Sequence, residues 1–408
     1  MPVSSISPAR RWSMLVIALA ATLFSVVFIN GVAFVIPTLH REHGLSLAQA
    51  GLLSALPSFG MVATLIAWGY LVDRIGERIV LTVGSALTAA SAFAAAAVDS
   101  LLLVGVFLLL GGMAAASSNT ASARVVVGWF PPHQRGLVMG IRQTAQPLGV
   151  ALGALVIPRL AQSHGISAAL LFPAAVCAVA AVICLIGVLD PPRPPRASAD
   201  GRHPQNPYRG SGLLWRIHAV SVLLVVPQGV IWTFTLVWLM TERSWSAGSA
   251  GTMVMIAQVL GAGGRVAAGR WSDLVGSRLR PIRTIALAAA AAMALLALTD
   301  ALDSPVSVAF MVIAAVVTVS DNSLAFTAIA EIAGPYWTGR ALGTQNTSQL
   351  LTTAITPPLF GGLIGVAGYP VAFALCAVLP LAAVPLVPAD PATPQIRPSS
   401  PESPRRVR

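Results

Sequence analysis

The sequence predicts an all-α membrane protein of twelve transmembrane helices arranged as two pseudo-symmetric halves of six. Three observations carry that expectation. Hydrophobic residues make up 56% of the 408 and charged residues only 10%, with a mean hydropathy of +0.79, far from the quarter-charged composition of soluble domains. Apolar stretches of about 20 residues, the helix length that crosses a roughly 30 Å hydrocarbon core, can be drawn twelve times. Finally, Gly69, Asp73, Gly76 and Arg78 in GYLVDRIGER return 200 residues later as Gly269, Asp273, Gly276 and Arg278 in GRWSDLVGSR. The chain reads as a duplication.

In order, residues 1–11 form a cytoplasmic N-terminus whose Arg10 and Arg11 precede the first span, 12–36. That apolar run is too long for a signal-peptide core and lacks a small-residue cleavage site after it, so it is read as a span. Spans 47–70 and 79–98 flank the GYLVDRIGER loop, 101–127 and 136–160 flank WFPPHQRG, and 166–189 closes the first half, 12–189. Residues 190–212, with PPRPPR among Gly, Ser, Asn and His, are long and polar enough for a cytoplasmic linker. The second half, 213–388, holds spans 214–240, 247–270, 282–301, 305–330, 340–366 and 369–388. The Pro-, Ser- and Arg-rich segment 389–408 reads as a disordered cytoplasmic tail. A second repeat, spaced by 203 residues, lays SSNT (Ser117, Asn119, Thr120) on SDNS (Ser320, Asn322, Ser323) and GIRQTAQ from Gly140 on GTQNTSQ from Gly343. Parallel repeats follow.

All 25 basic residues are arginine and the net charge is +11, a balance that invites a nucleic-acid partner; their placement argues against one. With the N-terminus cytoplasmic, only Arg41, Arg159 and Arg243 fall at the outer face, which is the positive-inside bias. The expected setting is the plasma membrane, crossed many times, with both termini cytoplasmic and the lipid bilayer as partner. Arg193, Arg196, Arg202 and Arg209 are candidates for anionic lipid. Cys177, Cys184 and Cys376 sit in apolar spans without metal-ligand spacing, and no HExxH, GxSxG or Walker loop is present. No metal, cofactor or catalytic activity is expected, and an ion gradient is the expected energy source.

On GYLVDRIGER, GRWSDLVGSR, WFPPHQRG and EIAGPYWTGRALG the chain resembles the major facilitator superfamily (MFS) of secondary transporters, over essentially its whole transmembrane part. The resemblance implies the MFS fold, alternating access, and a latch on the cytoplasmic side formed by Gly69, Asp73, Gly76, Arg78, Gly269, Asp273, Gly276, Arg278, Glu331 and Arg340. Physically, Gly69 and Gly269 allow close helix contact, and Gly76 and Gly276 allow tight reversals. Asp73 and Asp273 can face the positive N-terminal end of a neighbouring helix, while the arginines can pair with carboxylates or free carbonyls. Gly128 aligns with Glu331, so unequal latches are expected. Arg74, Glu77, Arg280 and Arg283 are read as loop anchors.

A charge in mid-span costs about 2.5 to 3.5 kcal/mol on insertion scales, so Arg124, Arg142, Arg265 and Asp321 are functional candidates. Arg142, Gln146, Gly149 and Gly153 follow i, i+4, i+7, i+11 spacing, as do their mates Gln345, Gln349, Thr352 and Thr356. These stripes are either opposite walls of a cavity or interhelical hydrogen-bond seams. The substrate-binding candidates are Arg142, Gln146, Gln345, Gln349, Asn30, Gln228, Arg124 and Arg265, with Trp232 beside them. Snorkelling is the alternative for Arg124 and Arg265. Asp321, the one deep carboxylate, is the candidate proton carrier, since a carboxyl near an arginine can exchange a proton as substrate competes for that arginine; a structural ion pair is its alternative. Three interior arginines against one aspartate point to a small organic anion, a carboxylate, carried with a proton by a monomer. The alternative is a proton-coupled multidrug or metabolite efflux pump, although AQPLGVALGA lacks the leading glycine of the family's antiporter signature GxxxGPxxGG.

Overall fold

Every regular element among the described residues is helical, as suits a chain that must satisfy its backbone polar groups inside a bilayer without closing a barrel. The computed structural model describes residues 6–35, 47–191, 206–209 and 212–389; Arg41, Arg193, Arg196 and Arg202 lie outside them. The first half comprises α1 (Pro8–Gly31), α2 (Leu47–Ile75), α3 (Glu77–Ala96), α4 (Leu101–Trp129), α5 (Pro132–Gln143) and α6 (Ala145–Gly187). The second comprises α7 (Leu213–Thr241), α8 (Ala247–Val275), α9 (Leu279–Ala301), α10 (Ser307–Ser320), α11 (Asn322–Ala333) and α12 (Thr338–Ala383). The linker side of the bundle, used below as a direction, is the side where α6 ends and α7 begins.

Local chemistry sets several boundaries. Ser7 caps α1 by accepting from the Arg10 amide, with Pro8 at the first helical position. Gly76 (φ 104°) makes the reversal between α2 and α3, and Gly276 (φ 65°) closes α8 in the left-handed conformation. Helices α6 and α12, of 43 and 46 residues, are too long for one crossing at about 1.5 Å per residue. Each breaks at a glycine: Gly165 (φ 81°, ψ 176°) and Gly368 (φ 80°, ψ 172°). These two lie 203 residues apart and share a conformation open only to glycine. Among the described residues ten long apolar helices, two of them doubled, give the twelve crossings; α5 leads into the fifth, and α10 with α11, interrupted at Asp321, forms the tenth.

Each half has its own apolar core, with Phe28, Leu65, Leu108 and Ile157 in the first and Trp238, Met293 and Phe373 in the second. A third core, including Trp129, Met139, Leu324 and Leu342, joins the halves toward the linker side. Phe93, Leu102, Ile186, Leu274 and Val366 stand exposed on the outside, as lipid-facing side chains do. Because lipid is as apolar as leucine, close packing at small residues must hold such helices together. The halves meet chiefly where α2 crosses α12 and α5 crosses α8. There Gly69 faces Gly339 and Gly136 faces Gly269: a Cβ on any of the four would lie 2.1 to 2.3 Å from the opposing carbonyl oxygen.

Candidate functional site: a paired latch and an amide-lined cavity

Asp73, in the last turn of α2, accepts from the backbone N–H of Gly339 (2.8 Å) and of Arg340 (3.1 Å), in the first turn of α12. Asp273, in the last turn of α8, accepts from the N–H of Gly136 (3.0 Å) and of Leu137 (2.8 Å), at the start of the second turn of α5. Each carboxylate thus binds near the N-terminal end of a helix of the opposite half, where the helix dipole favours an anion; on α12 the two N–H groups are among the free ones of the first turn. The acceptors are repeat mates, and so are the donors.

Arginines complete both contacts. Arg124 pairs with Asp73 and with Glu77 (2.7 Å) and donates to the Pro335 carbonyl (3.1 Å), while Arg340 donates to Asp73 (3.1 Å). On the mirror side Arg278 pairs with Asp273 (2.6 Å) and Glu331 (3.3 Å), and Arg135 pairs with Glu331 (3.3 Å). Among the described residues each cluster sets two carboxylates against two arginines. Burial works against the Arg278 charge, but Glu331 and Asp273 outweigh it and raise its pKa above the ordinary arginine value. The cation persists at any ordinary pH.

Three expectations are corrected here. Arg124 lies in this network, not on the cavity wall, because Asp73 and Glu77 both reach its guanidinium. The clusters are not short of a carboxylate on one side: Pro191 packs against Gly128, and Glu77, expected as a loop anchor, is fully buried and supplies the second acid from α3. Arg78 does not bridge the halves. Its Nε donates to the Leu185 carbonyl (2.7 Å) and its backbone N–H to Asp190 (2.8 Å), within the first half and at its junction with the linker.

Between the halves lies a cavity of about 390 Å³. Repeat mates contribute in pairs: Asn119 with Asn322, Gln143 with Asn346, and Gln146 with Gln349. Asn30 and Gln228 add two further amides, and Trp232 and Phe326 add apolar surface. Arg265 is the one charged side chain on the wall among the described residues. It is 5% exposed, its Nε is buried without a hydrogen-bond partner, and Asp321, also buried, acts on it electrostatically without closing an ion pair. The amides on the second half are linked: Gln349 donates to the Asn322 oxygen (3.0 Å), and Asn322 donates to the Gln228 oxygen (3.0 Å).

Asn30, Gln146, Gln228, Gln349 and Arg265 thus share the wall with Trp232, whereas Arg142, Gln345 and Asp321 sit behind it. Arg142 donates to Ser122 Oγ (3.0 Å), to the Asn119 carbonyl (2.6 Å) and to Gln143 Oε1 (3.1 Å). Gln345 Oε1 lies 2.7 Å from His218 Nδ1, whose Nε2 lies 3.0 Å from the Tyr208 hydroxyl. The expected stripe splits because its far end packs on the first helix of its own half: Gly149 against Leu23 and Val26, and Thr356 against Gly229. The wall is the neighbouring stripe, Gln143, Gln146 and Val150 with mates Asn346, Gln349 and Thr353, at i, i+3, i+7. Gln143, Asn346, Asn119 and Asn322 were missed as lining residues, although each falls inside a repeated motif. His218 is buried within α7.

Residues 15–357 match the family model of the Major Facilitator Superfamily. The chain belongs to that superfamily. It is 56% identical over 377 residues to an uncharacterized MFS-type transporter of Mycobacterium tuberculosis strain H37Rv, covering 92% of this chain and 84% of the relative. It is 26% identical over 167 residues to a gallate transporter of Pseudomonas putida, covering 40% of this chain and 36% of the relative. Among solved structures, that of the human organic anion transporter MFSD10 matches with a TM-score of 0.74 at 18% identity, covering 94% of this chain and 100% of the other; at that identity the likeness speaks for the fold. This MFS chain is a transporter by family, built as two six-helix halves.

Proposed function

We propose that this MFS protein carries a small organic anion, bearing a carboxylate, across the plasma membrane by alternating access and together with a proton. The observation that carries the anion is Arg265. An arginine kept charged in a membrane interior needs a counter-charge, and this one stands on the cavity wall with a free buried Nε and no ion pair among the described residues. A carboxylate arriving in the cavity supplies that charge, and the guanidinium fork can hold it in a bidentate way. Asp321 is the proton carrier in this reading: it feels Arg265, so a substrate that neutralises the arginine changes the affinity of the carboxyl for a proton. The arginine-rich linker side is cytoplasmic on the positive-inside rule, which makes this conformation the one closed to the cytoplasm. The names of an organic anion transporter and a gallate transporter among the similar proteins support the substrate charge.

The test is flux in proteoliposomes of a panel of monocarboxylates and of cationic dyes, with and without an inward proton gradient. Saturable, gradient-driven carboxylate uptake is expected for the wild type, with a loss of about 100-fold or more in Arg265→Gln, the scale of a charge-assisted bond left unmade. Dye extrusion indifferent to Arg265 would overturn the anion. For Asp321→Asn, exchange of substrate between the two sides should survive while accumulation against a gradient disappears; full accumulation in that variant would remove the proton carrier.

A further inference from the structure

Arg142 is 2% exposed and, among the described residues, makes no ion pair. Its bonds go to Ser122 Oγ, the Asn119 backbone carbonyl, Asn119 Oδ1 (3.4 Å) and Gln143 Oε1 (3.1 Å). A guanidinium has five N–H donors and no acceptor. An amide side chain bonded to it must therefore present its oxygen and turn its NH₂ group away. Both amides held in this way line the cavity. Among the described residues Asn119 Nδ2 meets only the Met61 sulfur, at 3.5 Å, a weak acceptor. The remaining Gln143 N–H donors have no protein partner among the described residues. One turn earlier on α5, Gly140 lies against the Arg265 backbone, so Gln143 and the Arg265 guanidinium belong to adjoining helices, while Asn119 reaches the same cavity from α4.

We propose that Arg142 is a positioning residue that sets the class of substrate. By holding Asn119 and Gln143 through their oxygens it turns their N–H groups to the cavity that Arg265 also lines, and the cavity thereby selects an oxygen-rich carboxylate, one with hydroxyl or carbonyl oxygens besides its charged group, over a plain alkyl or aryl acid. This rests on the anion reading above. The opposite wall is complementary: the amide chain through Asn322 leaves Gln349 Oε1 to accept a hydroxyl proton and Gln228 Nε2 to donate. A plain hydrocarbon body would leave these amides unpaired, and sites built from polar groups reject such analogues strongly. The mate of Arg142 is Gln345, which turns to His218 instead, so only one wall is fixed as a donor wall and the substrate has one favoured orientation.

The experiment is competition binding to the purified full chain in nanodiscs with matched pairs: 3,4,5-trihydroxybenzoate against benzoate, and glucuronate against cyclohexanecarboxylate. The wild type should prefer the hydroxylated member of each pair by roughly tenfold or more, one to two neutral hydrogen bonds. In Arg142→Gln that preference should fall below about twofold while affinity for the plain acid, which depends on Arg265, changes little. Arg142→Lys, still a donor without an acceptor, should keep most of it. Gln143→Leu, which alters no charge, should lose preference as Arg142→Gln does and serves as the second probe if that variant folds poorly. An unchanged preference in both Arg142→Gln and Gln143→Leu would overturn the inference, as would an equal loss of both members of each pair in Arg142→Gln, the mark of direct ion pairing. If the wild type binds none of the four acids, the anion reading itself falls, separately from the role of Arg142.

Discussion

Asp73 does the work of two kinds of contact at once. It receives two backbone N–H groups from α12 and two arginines, Arg124 and Arg340, at 2% exposure. Breaking a buried ion pair by removing one partner is costly because the other charge stays buried. For Asp73→Asn the closed linker side should lose about 3 kcal/mol, roughly 100-fold in population. A cysteine introduced at Asn346, on the cavity wall, should then become reachable by a membrane-impermeant thiol reagent from the linker side. The background is low, since Cys177, Cys184 and Cys376 are all buried. Labelling no faster than in the Asn346→Cys parent would remove Asp73 from the latch. The same residue shows why single charges mislead when read from a sequence. Arg124 looked like a cavity group from its depth in the span, and only the path of α3, which brings Glu77 underneath, shows where its charge is spent.

At the scale of the helix, the two doubled elements depend on one conformation each. Nothing stands within 4 Å of a Cβ built on Gly165, so Gly165→Ala would be resisted only by its positive φ, a strain of about 1 to 3 kcal/mol. A lowered midpoint of thermal unfolding in detergent is expected for Gly165→Ala and, independently, for Gly368→Ala. A midpoint equal to the wild type in both would show that the reversals tolerate a side chain. The number of crossings, the duplication and the loop glycines were legible in the sequence because length, hydropathy and positive φ each leave a mark on residue type. The wall of the cavity was less so. Period alone placed Arg142, Gln146, Gly149 and Gly153 together, but the ladder is interrupted at Thr144 and Gly149 packs against α1, which moves the cavity face to Gln143, Gln146 and Val150. A shift of one position around a helix is below what spacing can decide, whereas the pairing of mates across the repeat, Gln143 with Asn346, carried the information.

For the whole molecule, the two clusters bias one equilibrium from two symmetric places. Among the described residues the two clusters have no hydrogen-bond or ion-pair partner in common, which predicts that Asp73→Asn and Asp273→Asn add in free energy. Each single variant should open the linker side in part, and the double variant should leave it mostly open. Distances between spin labels at Arg74 and Arg280, one on each half, should lengthen in that order. A double variant indistinguishable from either single one would mean that one cluster alone holds the halves together.

The crosswise capping has a consequence for the history of the chain. Asp73 reaches Gly339 as Asp273 reaches Gly136, so these backbone contacts are unchanged when the halves are exchanged. That is the signature of an isologous interface, in which one surface binds a copy of itself about a twofold axis. A single six-helix half carrying both the aspartate loop and the glycine-led helix would have been self-complementary before it was ever doubled. The junction keeps the grammar of a homodimer, while Arg142 opposite Gln345 and Asp321 opposite Ser118 are places where fusion into one chain let the two copies diverge.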